Sequence, residues 1–99
     1  MSYSIIISES AEADVREAFL WYEEQQSKLG ERFERNFQSA IESIKDNPLK
    51  IEVKYRNVRI FFLKKFPYGI HFTVARDEIL IIAVFHTSRN AKKWTQRNA

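Results

Sequence analysis

Two stretches in the first half of the chain place apolar residues at the spacing of an α-helix. The first has its apolar face at Ala11, Val15, Ala18, Phe19 and Tyr22. The second has its apolar face at Phe33, Phe37, Ala40, Ile41 and Ile44. Leu29-Gly30 is expected to close the first helix, and Asn47-Pro48 to stop the second. Because Gly30 is the only helix-breaking residue between the two patterns, the connection is short, and we predict an antiparallel helical hairpin.

Short β-branched and apolar runs stand on both sides of this hairpin in the sequence. Residues 3–8 form one run, and residues 58–63, 69–74 and 79–85 form three more, separated by loops at 64–68 and 75–78. The last run lacks polar alternation, which is typical of a central strand covered on both faces. The order β-α-α-β-β-β predicts one α+β domain over residues 1–99, with the helical hairpin packed on a small, largely antiparallel four-stranded sheet.

The amino-acid composition does not alter this fold prediction, but it excludes several classes of protein. The 99 residues include no cysteine, which excludes a disulfide scaffold and a cysteine-ligated zinc site. The N-terminus lacks the basic region of a signal peptide, and the longest apolar run, 79–85, is far shorter than a membrane span. We therefore expect a soluble, cytoplasmic protein with no membrane partner.

The formal charge of +3 is divided unevenly along the chain. Residues 1–50 carry six Lys or Arg against ten Asp or Glu, a balance of −4, whereas residues 51–99 carry ten against three, a balance of +7. A basic half of this kind favours an anionic partner. Charge alone does not distinguish a nucleic acid from an acidic protein segment.

No strong catalytic motif accompanies this charge. The two glycines, Gly30 and Gly69, are too far apart for a phosphate-binding loop, and no nucleophile-elbow motif is present. His71 and His86 have no metal-ligand spacing near them, and we expect both to be surface or partly buried strand residues. The sequence therefore predicts no metal and no cofactor.

Basic and aromatic residues are interleaved in the second half and form a candidate target-binding set. Its members are Arg59, Lys64, Lys65, Tyr68, Arg76, His86, Arg89, Lys92, Lys93 and Trp94. Cations beside aromatic rings suit contact with phosphates and bases, or with an acidic protein segment. The pattern is also compatible with an ordinary basic surface on which Trp94 packs against the core.

The first helix carries more apolar surface than contact with one sheet requires. Leu20 and Trp21 lie beside the stripe that contains Phe19 and Tyr22. Such a surplus indicates either a wide core contact or a groove that binds a partner. The second helix has mixed charges on its outer face, among them Arg32 and Arg35, which favour an ordinary solvated surface.

Several short motifs follow one another along nearly the whole chain. They are AFLWYEEQ at 18–25 running into LGERF at 29–33, Asn47-Pro48, Val58-Arg59, FPYGI at 66–70 and AVFHTSRN at 83–90, with Trp94 behind them. In this order they resemble the RelE/ParE superfamily of toxins from bacterial type II toxin–antitoxin modules, which includes proteins known for plasmid stabilisation. The resemblance implies a cytoplasmic toxin that is neutralised by a DNA-binding antitoxin, whose flexible, acidic segment wraps around it.

The resemblance also implies a partner surface on the helical hairpin and in the basic half. The residues expected to contact the antitoxin are Phe19, Leu20, Trp21, Tyr22, Arg56 and Arg59.

The superfamily divides by target. RelE-like members cut mRNA on the ribosome with arginines, lysines and a C-terminal tyrosine or histidine, whereas ParE-like members inhibit DNA gyrase and lack that set. Ile70 stands where RelE-like proteins tend to carry an arginine, and this favours the ParE-like branch. The alternative is a ribosome-dependent mRNA endonuclease with His86 as acid or base. In that case the charge-stabilising groups would be Arg59, Lys65 and Arg89. A plain nucleic-acid-binding module and a non-toxic member are further alternatives.

Overall fold

A mixed five-stranded sheet carries a hairpin of two α-helices on one face. The computed structural model describes residues 2–89. Its elements are β1 (Ser4–Ile7), α1 (Glu9–Gln25), α2 (Leu29–Asp46), a short 3-10 helix (Pro48–Lys50), β2 (Val53–Tyr55), β3 (Val58–Phe62), β4 (Tyr68–Ala75) and β5 (Glu78–His86). The predicted α+β class, with a helical hairpin on a small sheet, is confirmed.

The strands lie in the order β1-β5-β4-β3-β2. β1 runs parallel to β5, whereas the other neighbouring pairs are antiparallel. The predicted count of four strands is one short, because it leaves out β2, a three-residue edge strand that exposes Val53 and lies within the alternating run IEVKYR at 51–56. β5 lies between β1 and β4 and buries Ile79 and Ile81 as well as Ala83 and Phe85, so the prediction of a covered central strand is confirmed.

The connection between the helices differs from the predicted one. α1 begins after Ser8, whose Oγ accepts a hydrogen bond from the Ala11 N–H, and ends at Gln25. The prediction that Gly30 closes this helix is wrong, because Gly30 lies in the first turn of α2, and Lys28 adopts the left-handed conformation with φ 72°. Position 30 requires glycine because a Cβ there would lie 2.6 Å from the carbonyl oxygen of Phe19.

The carboxylate of Glu23, on α1, caps the N-terminus of α2. Its Oε2 accepts a hydrogen bond from the Lys28 N–H at 2.8 Å, and its Oε1 accepts one from the Gly30 N–H at 3.0 Å. A carboxylate at this position satisfies otherwise unpaired N–H groups and opposes the positive end of the helix dipole. The tight hairpin therefore depends on the Glu23 carboxylate, five and seven residues before its partners, and on the absence of a Cβ at Gly30.

The main core lies between the hairpin and the sheet. It includes Phe33 and Ile44 of α2, with Phe72 and Ile81 of the sheet, all fully buried. α1 is also tied to β5 by Asp14, whose carboxylate accepts a hydrogen bond from the Val84 N–H at 2.9 Å.

The opposite face of the sheet is buried as well. Val58, Ile60 and Phe85 are buried there, and His71 lies among them with 0% of its surface exposed. His71 Nδ1 and the Tyr55 hydroxyl are 2.9 Å apart. The expectation that His71 is a surface or partly buried residue is therefore wrong, whereas His86 is partly exposed as expected.

None of the helices within residues 2–89 is long and apolar enough to cross a membrane.

Candidate functional site

The start of β4 and the end of β5 lie side by side at one end of the sheet. Tyr68 is the register partner of His86, and their ring centroids are 5.3 Å apart. Beyond the last strand, the Thr87 N–H donates to the Pro67 carbonyl at 2.9 Å. The loop before β4 and the residues after Phe85 therefore come together, as the antiparallel pattern of the sequence predicts.

Four aromatic side chains pack together at this end of the sheet, on the face that the helices cover. Tyr22 stacks on Phe33 at 5.5 Å and contacts the edge of Phe66 at 4.9 Å. Phe33 in turn contacts Tyr68 at 5.2 Å. Edge-to-face and stacked pairs at these distances stabilise an aromatic cluster beyond simple burial. Tyr68 is consequently held rigidly, with 7% of its surface exposed.

Arg89 closes the cluster on its solvent side. Its Nη2 donates to the Tyr68 hydroxyl at 3.3 Å, and its guanidinium carbon lies 5.4 Å from the centroid of the Trp21 ring. Trp21 itself meets Tyr22 edge-on at 5.1 Å. We refer to Trp21, Tyr22, Tyr68, His86 and Arg89 as the Arg89 cluster. It presents a cation, an exposed indole and an imidazole on one surface.

His86 is held as a neutral imidazole. Its Nδ1 accepts hydrogen bonds from the Ser88 N–H at 3.2 Å and the Arg89 N–H at 3.1 Å, which places the ring proton on Nε2. Partial burial and the nearby Arg89 guanidinium lower the pKa of His86 below its ordinary value of 6.5. A neutral His86 whose Nδ1 lone pair is occupied by the backbone is poorly suited to general acid or base catalysis.

The phenols of the cluster are also held in their neutral form. Burial raises the pKa of Tyr68 above its ordinary value, and Arg89 opposes this rise. Burial likewise raises the pKa of Tyr22, with the Tyr68 hydroxyl adding to the rise. At neutral pH these phenols therefore serve as hydrogen-bonding groups.

Arg59 lies away from this cluster. It stands on β3 opposite Phe72, and its Nη1 donates to the Ile51 carbonyl at 2.6 Å and to the Leu49 carbonyl at 3.3 Å. The guanidinium thus fastens the segment that follows α2 to the sheet. Its position makes it a structural residue of the fold rather than a neighbour of His86.

The other predicted target-binding residues are dispersed. Lys64 and Lys65 are exposed on the loop between β3 and β4, and Lys65 faces a groove beside α2. Arg76 occupies the turn between β4 and β5, about 25 Å along the strands from Tyr68 at the usual rise per residue. Lys92, Lys93 and Trp94 lie outside the described residues.

The predicted antitoxin-binding residues also occupy different places. Leu20 and Trp21 are 55% and 43% exposed, whereas Phe19 is partly buried and Tyr22 belongs to the core. Arg56 lies in the turn between β2 and β3, at the opposite end of β3 from the strand's contact with Gly69. The six residues therefore do not form one continuous surface.

Arg32 and Arg35, which the mixed charges of α2 predict to lie on an ordinary solvated surface, have a specific position. Arg32 and Arg35 line the groove that Lys65 also faces. Their spacing of three residues on one helix was visible in the sequence, but the approach of the β3–β4 loop was not. Among residues 2–89, no group of three or more His, Cys, Asp or Glu side chains is placed to hold a metal ion.

Comparisons with known proteins place this geometry in a family. The protein-family model described as the ParE toxin of the type II toxin–antitoxin system parDE matches residues 5–91. Among solved structures, one described as the chromosomal ParDE toxin–antitoxin system from P. aeruginosa superposes with a TM-score of 0.78 at 16% identity, covering 87% of this chain and 97% of that chain. A search of curated protein sequences gives no match. The structural likeness is one of fold, and the family match spans most of the chain. The chain therefore belongs to the ParE toxin family of type II toxin–antitoxin systems.

Proposed function

We propose that this protein is a cytoplasmic toxin that inhibits DNA gyrase and is neutralised by direct binding of a cognate antitoxin. The main observation in support is that the side chains an mRNA endonuclease would use do not surround one point. Arg59 is bound to main-chain carbonyls, and Lys65 faces a groove beside α2. Of these candidate residues, only Arg89 and His86 lie next to each other. His86 is a neutral imidazole whose Nδ1 accepts a hydrogen bond from the Arg89 N–H. Catalysis of RNA cleavage requires an acid, a base and cations around one phosphate, so this arrangement favours a non-nucleolytic toxin.

The Arg89 cluster is the surface that we propose for the target. Arginine, tyrosine and tryptophan are the residues that most often dominate the free energy of protein–protein binding. Here Trp21 and Arg89 are exposed and adjoin each other, and Tyr68 positions the guanidinium from below. A rigid aromatic support reduces the entropy lost when a partner binds.

The helical hairpin is the part that we propose for the antitoxin. A groove of about 380 Å³ lies between α1 and α2, with Val15, Phe19 and Phe37 among its lining residues. Leu20 extends apolar surface beside it. An antitoxin segment that covers Leu20 and Trp21 would also screen Arg89 from the target, because Arg89 lies over the Trp21 ring.

Two assays run in parallel test the gyrase proposal. Purified protein is added to a gyrase supercoiling reaction and to ribosomes programmed with mRNA. We expect supercoiling to stop and the mRNA to remain intact. Intact supercoiling together with A-site cleavage of the mRNA would replace this proposal with the endonuclease alternative.

Neutralisation is tested separately with the product of the neighbouring reading frame. We expect a small DNA-binding protein with an acidic segment to co-purify with the toxin and to restore supercoiling. The L20A/W21A variant should co-purify poorly. Equal recovery with wild type and variant would exclude the hairpin as the antitoxin site.

A further inference from the structure

A basic groove lies between α2 and the loop that joins β3 to β4. Its volume is about 240 Å³, and it is lined by Arg32, Arg35, Asn36, Ser39, Lys65 and Phe66. We call it the α2 groove. A smaller hollow of about 100 Å³ shares Asn36 and Ser39 with it and adds Ser43 and Lys64. None of the residues that line the two hollows belongs to α1.

The charged side chains that line this groove are all positive. No acidic residue lines either hollow. Within residues 2–89, Arg32, Arg35, Lys64 and Lys65 form no ion pair with a carboxylate. Glu34 and Glu42 lie on the adjoining outer face of α2, beside Arg35. The three cations that line the α2 groove, and Lys64 in the neighbouring hollow, repel each other and attract an anion.

Neutral hydrogen-bonding groups accompany the cations. The hydroxyls of Ser39 and Ser43 line the hollows. The Oδ1 atom of Asn36 is buried and has no hydrogen-bond partner within the described chain. Because this oxygen is an acceptor, a phosphate oxygen cannot be its partner, and the neutral donors that the hollows offer to a phosphate are the serine hydroxyls.

The composition of the groove favours phosphates. Arg, Lys, Ser and Asn are the side chains that contact the sugar-phosphate backbone of DNA. A site for single strands needs exposed aromatic rings on which bases stack. The ring in this groove, Phe66, is instead packed against Tyr22 at 4.9 Å and Phe33 at 5.3 Å. An acidic protein segment would use exposed apolar anchors as well as charge, and none of the exposed large apolar side chains within residues 2–89 lines the α2 groove.

We propose that the α2 groove binds the phosphate backbone of duplex DNA. The contact is made by residues outside the Arg89 cluster and is independent of whether gyrase is the target. Arg32, Arg35 and Lys65 neutralise phosphates, and the Ser39 hydroxyl donates a hydrogen bond to a phosphate oxygen.

The test is a titration of the full chain with a short fluorescent DNA duplex over a range of salt concentrations. We expect the R32Q/R35Q variant to bind at least about tenfold more weakly, with a salt slope smaller by about two, because each lost phosphate contact lowers that slope by about 0.9. The control variant R16Q/K54Q removes the same charge from exposed positions outside the groove and should bind within about twofold of wild type. The E34Q/E42Q variant should bind more tightly than wild type. It provides an independent gain-of-affinity test should R32Q/R35Q fold poorly.

Several results would overturn the proposal. One is the absence of duplex binding by wild type at low salt. Another is equal weakening in R32Q/R35Q and R16Q/K54Q, which would indicate a general effect of net charge. Tighter binding of the matching single strand, of an RNA duplex or of a glutamate-rich peptide would assign the groove to that ligand instead.

Discussion

The regions around Arg59 and Arg89 use the same side chain in different ways. At Arg59, the guanidinium donates to the carbonyls of Leu49 and Ile51, so its hydrogen-bonding capacity serves the fold. At Arg89, the guanidinium donates to one phenol and covers one indole ring, and the residue is exposed. Both guanidinium groups retain N–H donors, but Arg89 is exposed whereas Arg59 is partly buried, so the remaining donors of Arg89 are the more accessible to a partner. Main-chain acceptors thus mark a structural arginine, whereas an aromatic support marks one that is presented to another molecule.

The largest effect expected from this comparison is a loss of stability at Arg59. Replacing Arg59 by Ala removes two hydrogen bonds from a charged donor, and we expect the free energy of unfolding to fall by about 2 kcal/mol. Urea-induced unfolding followed by circular dichroism measures it. Arg76→Ala, in an exposed turn, serves as control and should change stability by less than about 0.5 kcal/mol. Similar values for the two variants would show that the carbonyl contacts of Arg59 contribute nothing.

The next effect concerns function at Arg89. We expect Arg89→Ala to weaken gyrase inhibition by about tenfold, the loss typical of an exposed arginine at a binding site. Its unfolding midpoint should stay close to that of wild type. Arg89→Lys should recover little activity, because a compact ammonium does not reproduce both the guanidinium contact with the Trp21 ring and the hydrogen bond to Tyr68. If Arg59→Ala reduced inhibition without loss of stability, while Arg89→Ala did not, the two roles would be reversed.

The smallest effect is the pH dependence contributed by His86. Its pKa is lowered in the folded protein, so the unfolded chain binds the proton more readily. The contribution of this residue to stability is therefore complete above the ordinary value of 6.5 and is lost as the pH falls through the lowered pKa. His86→Asn keeps an acceptor near the Nδ1 position but does not titrate. Unfolding curves measured at several pH values should show a shallower acid decline for this variant, and parallel declines would contradict the assignment.

The sequence predicts the elements of this fold better than their junctions. The helical spacing of Phe33, Phe37 and Ile44 predicts α2 because its apolar face is complete within the helix. Gly30 misleads because glycine is needed there for the close approach of Phe19, which is a tertiary contact rather than a helix-ending conformation. Residues 51–56 alternate between apolar and polar side chains, which is a strand signal that the four-strand prediction leaves out. Only Val53–Tyr55 of this run form the edge strand β2, which pairs with β3.

The candidate sites show the same division. Tyr68, His86 and Arg89 could be grouped because an antiparallel hairpin brings its two ends together. Arg59 could not be separated from them, because the carbonyls that bind it belong to a segment without a sequence pattern. Arg32 and Arg35 acquire a shared groove only when the β3–β4 loop packs beside α2. Local periodicity is thus visible in sequence, whereas side-chain partners across elements depend on the packed structure.

The parallel pairing of β1 with β5 constrains how the chain can be made. Seventy residues separate Ile7 from Glu78, the two strands' nearest ends in sequence. During synthesis on the ribosome, the strand containing Ile5, Ile6 and Ile7 must therefore wait, unpaired, until β5 has emerged. Contacts of such large sequence separation form slowly, and an exposed β-branched strand is prone to join strands of other chains meanwhile. The nascent toxin thus passes through an interval in which β1 is unpaired and can pair with a strand of another chain.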